Sequence, residues 1–185
     1  ILAKSEGIKT MKNAEEQDLI LDMDGQVATI TLNRPHRRNA LTFEMYEEIR
    51  QICMRAGKSG DLKDIKALIF MGGGDKAFAA GTDISRFKDF TSTQDAIDYE
   101  TRVDSVMEEI ETCAVPTIAA LNGFVTGGGA AIAGACTVRI GAEDIKVGVP
   151  IARTLGNCLA ISNLRRFIAL VGEPRSPVSN THLTL

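Results

Sequence analysis

Residues 115–130 read VPTIAALNGFVTGGGA, the most informative stretch of the chain. Pro116 stops any helix that precedes it, and the apolar run 117–121 is typical of a short buried strand. The glycines at 127–129 open an alanine-rich helix that we predict to continue to about Cys136. A strand that passes through glycines into a helix points the unpaired N–H groups of the first helical turn into the crevice at the strand end. The stretch therefore predicts a ligand site built from backbone.

A second glycine loop has the same character. Residues 72–84 read GGGDKAFAAGTDI and follow the apolar run 65–71, which we predict to be a buried strand. Glycines let a ligand approach the backbone closely and permit positive φ angles. Two N–H groups aimed at one oxygen make an oxyanion hole, the donor pair that a thioester carbonyl needs when it becomes an enolate. We predict that the two loops share one crevice.

Other interpretations of the glycine loops start from weaker patterns. The segment GGGDKAF alone is also typical of a plain turn. Neither loop has the G-x-G-x-x-G spacing of a dinucleotide site, and no G-K-[ST] follows as in a phosphate-binding P-loop. His36 and His182 are the two histidines of the chain, so a Ser-His-Asp or Cys-His hydrolase is disfavoured.

Strands alternate with helical segments along the rest of the chain. The predicted segments are a hairpin over 18–32, helices over 43–58 and 95–113, and strands over 138–140 and 147–149. Asp24 and Gly25 supply the hairpin turn, and Thr42 is a good N-cap for the first helix. The second helix should bury Ile97, Val103, Val106, Met107 and Ile110. This alternation is typical of parallel βαβ units and predicts an α/β fold.

The bulk composition excludes several classes of protein. The chain has 185 residues, of which 44% are hydrophobic and 24% charged, and its net charge is −3. These values fit one globular domain and disfavour a nucleic-acid-binding surface. No apolar run reaches the ~18 residues that span a bilayer. The four cysteines form no C-x-x-C pair, so we expect mostly buried thiols and no metal site. We expect a cytoplasmic location, with no membrane partner.

Four segments, taken in order, resemble the crotonase superfamily of enoyl-CoA hydratases and isomerases. They are NRPHRRNAL at 33–41, AFAAGTDI at 77–84, VPTIAALNGFVTGGG at 115–129, and residues 136–140 with 148–150. The resemblance covers roughly residues 18–171. It implies an α/β, crotonase-like spiral of ββα turns, with two packed sheets surrounded by helices. It also implies assembly into homotrimers, often paired into hexamers.

The resemblance further implies where a ligand binds. The oxyanion-hole donors would be the backbone N–H groups of Thr82 and Gly128, and the substrate a coenzyme A thioester, with no cofactor and no metal. The residues expected to line the coenzyme A moiety or the substrate are Arg37, Ala80, Gly81, Asp83, Ile84, Gly127 and Gly129. Arg37 would contact a phosphate, although a solvated loop arginine is an equal alternative. Asp83 is also typical of a residue that caps or braces its loop.

The chain departs from the hydratase pattern at both acid/base positions. Hydratases of this family carry one glutamate two residues after the triple glycine and another directly after a proline. At these two positions this chain has Ala131 and Ile151. Neither side chain can transfer a proton to the substrate, so ordinary hydration is doubtful. The candidates for the acyl pocket are Ala131, Ile151, Arg153, Thr154 and Asn157, and Arg153 would bind a carboxylate there bidentately. A surface loop is the alternative for Arg153, Thr154 and Asn157.

Three functions follow from these patterns. The first is an acyl-CoA-binding enzyme of the enoyl-CoA hydratase/isomerase family, which stabilises a thioester enolate. The second is a non-catalytic acyl-CoA-binding homologue, and the third a decarboxylase, hydrolase or lyase of the same superfamily. We expect residues 1–17 to be a flexible lead-in and residues 18–175 to form one core domain. The tail 176–185 reads SPVSNTHLTL and looks unrelated to the family, so we expect a C-terminally truncated chain.

Overall fold

The structure is a computed structural model that describes residues 17–149 and 161–171. Most of the predicted lead-in and the whole predicted tail lie outside the described residues. The same holds for four candidate site residues: Ile151, Arg153, Thr154 and Asn157.

The larger sheet has five strands in the order β1-β2-β3-β5-β7. These are β1 Leu19–Asp24, β2 Val27–Leu32, β3 Ala67–Gly72, β5 Thr117–Leu121 and β7 Val138–Gly141. Strands β1 and β2 form the predicted antiparallel hairpin, and the other pairs are parallel. Asp24 pairs with Val27, so the turn consists of Gly25 and Gln26, one residue later than predicted. Gly25 has a φ of 58°. The favoured two-residue hairpin turns require a positive φ at this first position.

The smaller sheet has three parallel strands in the order β4-β6-β8. These are β4 Ala77–Ala80, β6 Phe124–Thr126 and β8 Lys146–Gly148. Strands β4 and β6 lie inside the two glycine loops, where we predicted no strand. Both strands consist of a few small or isolated apolar residues between glycines, and this composition gives no strand pattern in the sequence.

Four α-helices surround the sheets within the described residues: α1 Phe43–Arg55, α2 Thr93–Glu111, α3 Gly128–Ala135 and α4 Ile161–Val171. Short 3-10 helices span Pro35–Arg37, Gly60–Leu62 and Ile84–Asp89. Helix α1 packs on α2, α2 on α3, and α3 on α4 and on strands β4 and β6. The helices and the inner face of the larger sheet enclose one continuous apolar core. No helix among the described residues is long and apolar enough to cross a membrane.

Local sequence explains where the first two helices begin and end. The Thr42 Oγ1 accepts the Met45 N–H at 3.2 Å, as predicted for an N-cap. Helix α1 ends three residues before the predicted boundary, and Gly57 follows with a φ of 69°. A capping box formed by Ser92 and Asp95 opens α2.

The prediction that Ile97 points inward is wrong, because this side chain is 51% exposed. Val103, Val106, Met107 and Ile110 are buried as predicted. With about 100° per residue, Ile97 lies ~120° away from Val103 around the helix axis and therefore off the buried stripe.

Helix α3 is fixed at both ends. Its first turn packs so closely on β4 that a Cβ at Gly129 would lie 2.3 Å from the Ala79 carbonyl oxygen. At its C-terminal end, the Arg139 guanidinium donates to the carbonyl oxygens of Ala133, Cys136 and Thr137. These bonds satisfy carbonyls that the helix leaves unpaired. The position of Gly128, at the helix start, is therefore well defined.

Candidate functional site

The structure brings the two predicted glycine loops together. Ala80 pairs with Thr126 across the parallel strands β4 and β6, so both chains leave the sheet side by side. A Cβ at Gly127 would lie 3.2 Å from the Gly81 Cα, which shows how closely the loops approach. Gly81 and Gly127 have φ angles of 110° and 52°, which favour glycine at both positions. Thr82 and Gly128 are the next residues on each side.

Thr82 and Gly128 each carry a backbone N–H without an acceptor among the described residues. Leu41 bridges the first loop: its N–H donates to the Gly81 oxygen at 2.9 Å, and its oxygen accepts the Asp83 N–H at 2.8 Å. This bridge skips the Thr82 N–H. Gly128 is the first residue of α3, where an N–H has no acceptor within the helix. Two backbone donors therefore stand at neighbouring strand ends.

The Thr82 side chain is held by two tyrosines. Its Oγ1 is 2.9 Å from the Tyr46 hydroxyl of α1 and accepts the Tyr99 hydroxyl of α2 at 3.0 Å. Tyr46 is 1% exposed, and burial raises its pKa well above the ordinary value. Burial also raises the pKa of Tyr99. Both phenols are therefore neutral, and their hydrogen bonds with Thr82 tie the first two helices to the first glycine loop.

The sequence analysis missed both tyrosines. Tyr46 lies in the apolar stripe of α1, next to Met45 and one turn before Ile49. A hydroxyl on a buried stripe needs a hydrogen-bond partner, and that requirement is a signal that sequence alone contains. Tyr99 lies one turn before Val103 on the buried side of α2, where the same argument applies.

Asp83 braces its loop. Its Oδ1 accepts the Ser85 N–H at 3.1 Å and caps the following 3-10 helix, and its Oδ2 accepts Arg34 Nη2 at 3.0 Å. Hydrogen bonds from Ser85, and then from Arg34, lower the pKa of Asp83 to about 2. The carboxylate is thus ionised and occupied by the protein's own groups. The capping role expected from the sequence is what the geometry shows.

Asn39 joins the segment NRPHRRNAL to the first loop. This residue is fully buried, and its Nδ2 donates to the carbonyl oxygens of Gly73 at 2.9 Å and Ala77 at 2.7 Å. Its Oδ1 accepts the Arg34 N–H at 2.9 Å. A φ of 56° places it in the left-handed region, which asparagine tolerates better than most residues. The buried amide therefore holds both ends of the GGGDKA turn.

The remaining candidate residues occupy different surroundings. Ala131 is buried in α3, so this position offers no proton-transfer group. Arg37 is exposed on the 3-10 helix Pro35–Arg37. Ile84, directly after Asp83, is 52% exposed. No group of three potential metal ligands is found among the described residues.

An aromatic cluster lies beside Thr82. The Tyr99 ring is 4.9 Å from Phe87 in an edge-on contact and 5.3 Å from Phe43, and Phe87 stacks on Phe90 at 5.0 Å between centroids. A cavity of about 240 Å³ opens against this cluster. It is lined by three of the rings and by four charged side chains, namely Phe43, Phe90 and Tyr99 with Asp89, Asp95, Asp98 and Arg102.

Two packed sheets, with backbone donors at adjoining strand ends, define the crotonase class of fold. The sequence model of the enoyl-CoA hydratase/isomerase family matches residues 22–172, and the chain belongs to this family. An enoyl-CoA hydratase/carnitine racemase structure from Magnetospirillum magneticum superposes with a TM-score of 0.81 at 30% identity, covering 89% of this chain and 60% of that one. The predicted fold is confirmed.

Two curated relatives are similar in sequence. The short-chain-enoyl-CoA hydratase of Clostridium acetobutylicum is 34% identical over 85% of this chain and 59% of its own length. The crotonyl-CoA hydratase of Syntrophomonas wolfei is 35% identical over 72% of this chain and 50% of its own length. The chain thus spans between half and three fifths of these relatives.

Proposed function

We propose that the protein binds an acyl-CoA thioester and stabilises the enolate formed from it. The thioester oxygen would accept hydrogen bonds from the N–H groups of Thr82 and Gly128. The observation that carries this proposal is the pair of N–H groups, without acceptors in the described parts of the chain, at the adjoining ends of β4 and β6. Donors fixed in advance need no reorganisation when negative charge develops on the oxygen, and each is worth roughly 10²–10³ in rate.

The neighbouring residues fit the rest of such a ligand. Residues 80–84, with Gly127 and Gly129, would line the coenzyme A arm and the reacting end of the acyl group. The exposed Arg37 would contact a phosphate, and the exposed Ile84 would pack on the ligand. The aromatic cluster around Tyr99 would receive the acyl chain. The protein would need no cofactor or metal, would act in the cytoplasm, and would assemble as a homotrimer or hexamer.

The step that forms the enolate is the open part of the proposal. The names of the two relatives favour hydration. The apolar Ala131 favours a second candidate, a homologue that binds acyl-CoA without hydrating it, since water addition needs an acid/base group near the double bond. A decarboxylase, hydrolase or lyase that uses Arg153 or Asn157 would also fit the missing glutamates.

A pair of ligands tests the oxyanion hole. We expect calorimetry to show that butyryl-CoA binds roughly tenfold more tightly than S-butyl-CoA, a thioether that lacks only the carbonyl oxygen, since two hydrogen bonds are worth about 1 kcal/mol or more. Equal affinities would contradict the oxyanion hole. If neither ligand binds, the acyl-CoA function is contradicted altogether.

The loss of enoyl absorbance from crotonyl-CoA then separates the reactions. We expect crotonyl-CoA to bind with little or no hydration. Fast hydration would show that another group replaces the two glutamates. Turnover of a carboxylated acyl-CoA that disappears in Arg153→Ala would favour the decarboxylase or lyase.

A further inference from the structure

Three hydroxyl groups lie together beside Gly128, and they carry more hydrogens than the hydrogen bonds among them use. The oxygens of Tyr46 and Tyr99 each lie within 3.0 Å of Thr82 Oγ1. A Cβ at Gly128 would lie 2.1 Å from the Tyr46 hydroxyl and 3.1 Å from Thr82 Oγ1, so this cluster directly adjoins the start of α3. We call these three residues the hydroxyl cluster.

One of the three hydroxyl hydrogens has no acceptor within the hydroxyl cluster. Three hydroxyls carry three hydrogens, whereas the two contacts use two. Tyr99 donates to Thr82, so the spare hydrogen belongs to Tyr46 or to Thr82. No described residue outside the cluster accepts it. Hydroxyl hydrogens inside a protein are normally satisfied by protein or water, so this hydrogen is available to a ligand that displaces the water.

Exposure decides which hydroxyl can reach that ligand. Tyr46 is 1% exposed, whereas Thr82 is only partly buried. If both phenols donate to Thr82 Oγ1, the Thr82 hydroxyl is free to donate outward. Its oxygen then accepts two hydrogen bonds, an arrangement that strengthens the bond it donates. The raised pKa values of Tyr46 and Tyr99 keep both phenols protonated for this role.

We propose that the Thr82 hydroxyl, held by Tyr46 and Tyr99, donates a third hydrogen bond to the oxygen of the bound thioester. Thr82 would then contribute both its backbone N–H and its side chain to the same ligand atom. This inference rests on the proposed acyl-CoA function. Thr82 is a binding and catalytic residue in this proposal, whereas the two tyrosines act through it and are positioning residues.

The test measures the carbonyl stretching frequency of butyryl-CoA, labelled with ¹³C at the thioester carbon, bound to the protein. Hydrogen bonds to the carbonyl lower this frequency. We expect Thr82→Ser, which keeps the hydroxyl, to retain the low frequency. Thr82→Val, which keeps the N–H and the side-chain shape, should raise the frequency and weaken binding by roughly tenfold. Thr101→Val, an exposed threonine of α2, is the matched control.

A double variant separates this role from a structural one. Thr82→Val leaves the buried Tyr46 hydroxyl without a partner and should lower the melting temperature. Tyr46→Phe combined with Thr82→Val removes that unsatisfied hydroxyl, so it should regain stability but not the low carbonyl frequency. If Thr82→Val does not fold, the double variant alone gives the comparison with Thr82→Ser.

The outcomes distinguish the two proposals. A wild-type protein that fails to bind butyryl-CoA overturns the proposed function together with this inference. Suppose instead that the wild-type protein binds butyryl-CoA and lowers the carbonyl frequency. If Thr82→Val has the same low frequency, or if the low frequency returns in the double variant, the third hydrogen bond is overturned and the proposed function stands. A frequency that stays high in both valine variants and low in Thr82→Ser supports it.

Discussion

At the scale of single residues, the site is built by buried and half-buried polar groups that bond mainly to backbone or to one another. Asn39 holds the turn of the first loop by donating to two carbonyl oxygens. The Asp83 carboxylate accepts hydrogen bonds from Ser85 and Arg34. The groups left over are N–H donors and one hydroxyl hydrogen. A site that keeps donors free and its carboxylate occupied favours a ligand oxygen that gains negative charge.

The two tyrosines give a prediction for the response to pH. Desolvation raises their pKa values, and the unfolded value is near 10. The stabilisation from burying neutral phenols is therefore complete below pH ~10 and is lost as pH rises above that value. The chain contains two tyrosines, so tyrosinate absorbance reports on them alone. We expect Tyr46 to ionise only as the protein unfolds at alkaline pH.

The same protein in denaturant, where both phenols should titrate near pH 10, is the control. Tyrosinate from both residues near pH 10, with native circular dichroism preserved, would show that the hydroxyl cluster is not buried.

Sequence analysis predicted neither tyrosine as part of the site. It identified residues by their resemblance to loop motifs, and the cluster depends on three side chains from separate elements.

At the scale of elements, glycines set how closely the parts of the site approach. Glycines at 72, 123 and 129 lie so near other backbone that a Cβ would come within 2.3 Å of a carbonyl oxygen. The sequence predicted strands β1, β2, β3, β5, β7 and β8 and helices α1 to α3 with small boundary errors. It did not predict β4 and β6, because their residues lie between the glycines of the two loops and show no strand pattern of their own.

Two glycines of α3 give a matched pair of substitutions. Gly129→Ala should destabilise the protein by about 1–3 kcal/mol, because its methyl group would meet the Ala79 oxygen and push α3 away from β4. Gly134→Ala should be neutral or stabilise by up to ~1 kcal/mol, since its methyl group meets nothing closer than Phe167 at 3.9 Å and alanine favours a helix.

Denaturant unfolding of the two variants makes this comparison. We also expect Gly129→Ala to weaken butyryl-CoA binding, because Gly128 moves with the start of α3. Equal stability of the two variants would mean that α3 is free to shift away from β4 at little cost.

At the scale of the whole molecule, the chain alternates between two sheets, and the candidate site lies at the ends of two neighbouring strands of the smaller sheet. Successive strands β3, β4, β5, β6, β7 and β8 go in turn to the larger and the smaller sheet. The alternation of strands and helices in the sequence predicts an α/β fold but not this division, since the pattern does not tell which strands pair. The family resemblance supplied that information, and the structural neighbours confirm it.

One side chain connects three distant parts of this architecture. The Arg34 guanidinium donates to the Ala40 oxygen at 2.7 Å and pairs with Asp83 at 3.0 Å and with Asp18 at 3.5 Å. It thus joins the start of the hairpin, the approach to α1 and the first glycine loop. Its side chain is 12% exposed. Lysine has one charged nitrogen and cannot reproduce these directional bonds.

We therefore expect Arg34→Lys to lower the free energy of unfolding by roughly 1–3 kcal/mol and to weaken butyryl-CoA binding, as Asp83 and its loop lose their brace. Arg50→Lys is the matched control, because Arg50 pairs with Glu47 one turn away on the more exposed surface of α1, where such a pair is worth about 0–1 kcal/mol. Denaturant unfolding and calorimetry on both variants decide the matter. If the two substitutions cost the same and leave binding intact, the loop is positioned by its backbone contacts with Leu41 and Asn39, without help from Arg34.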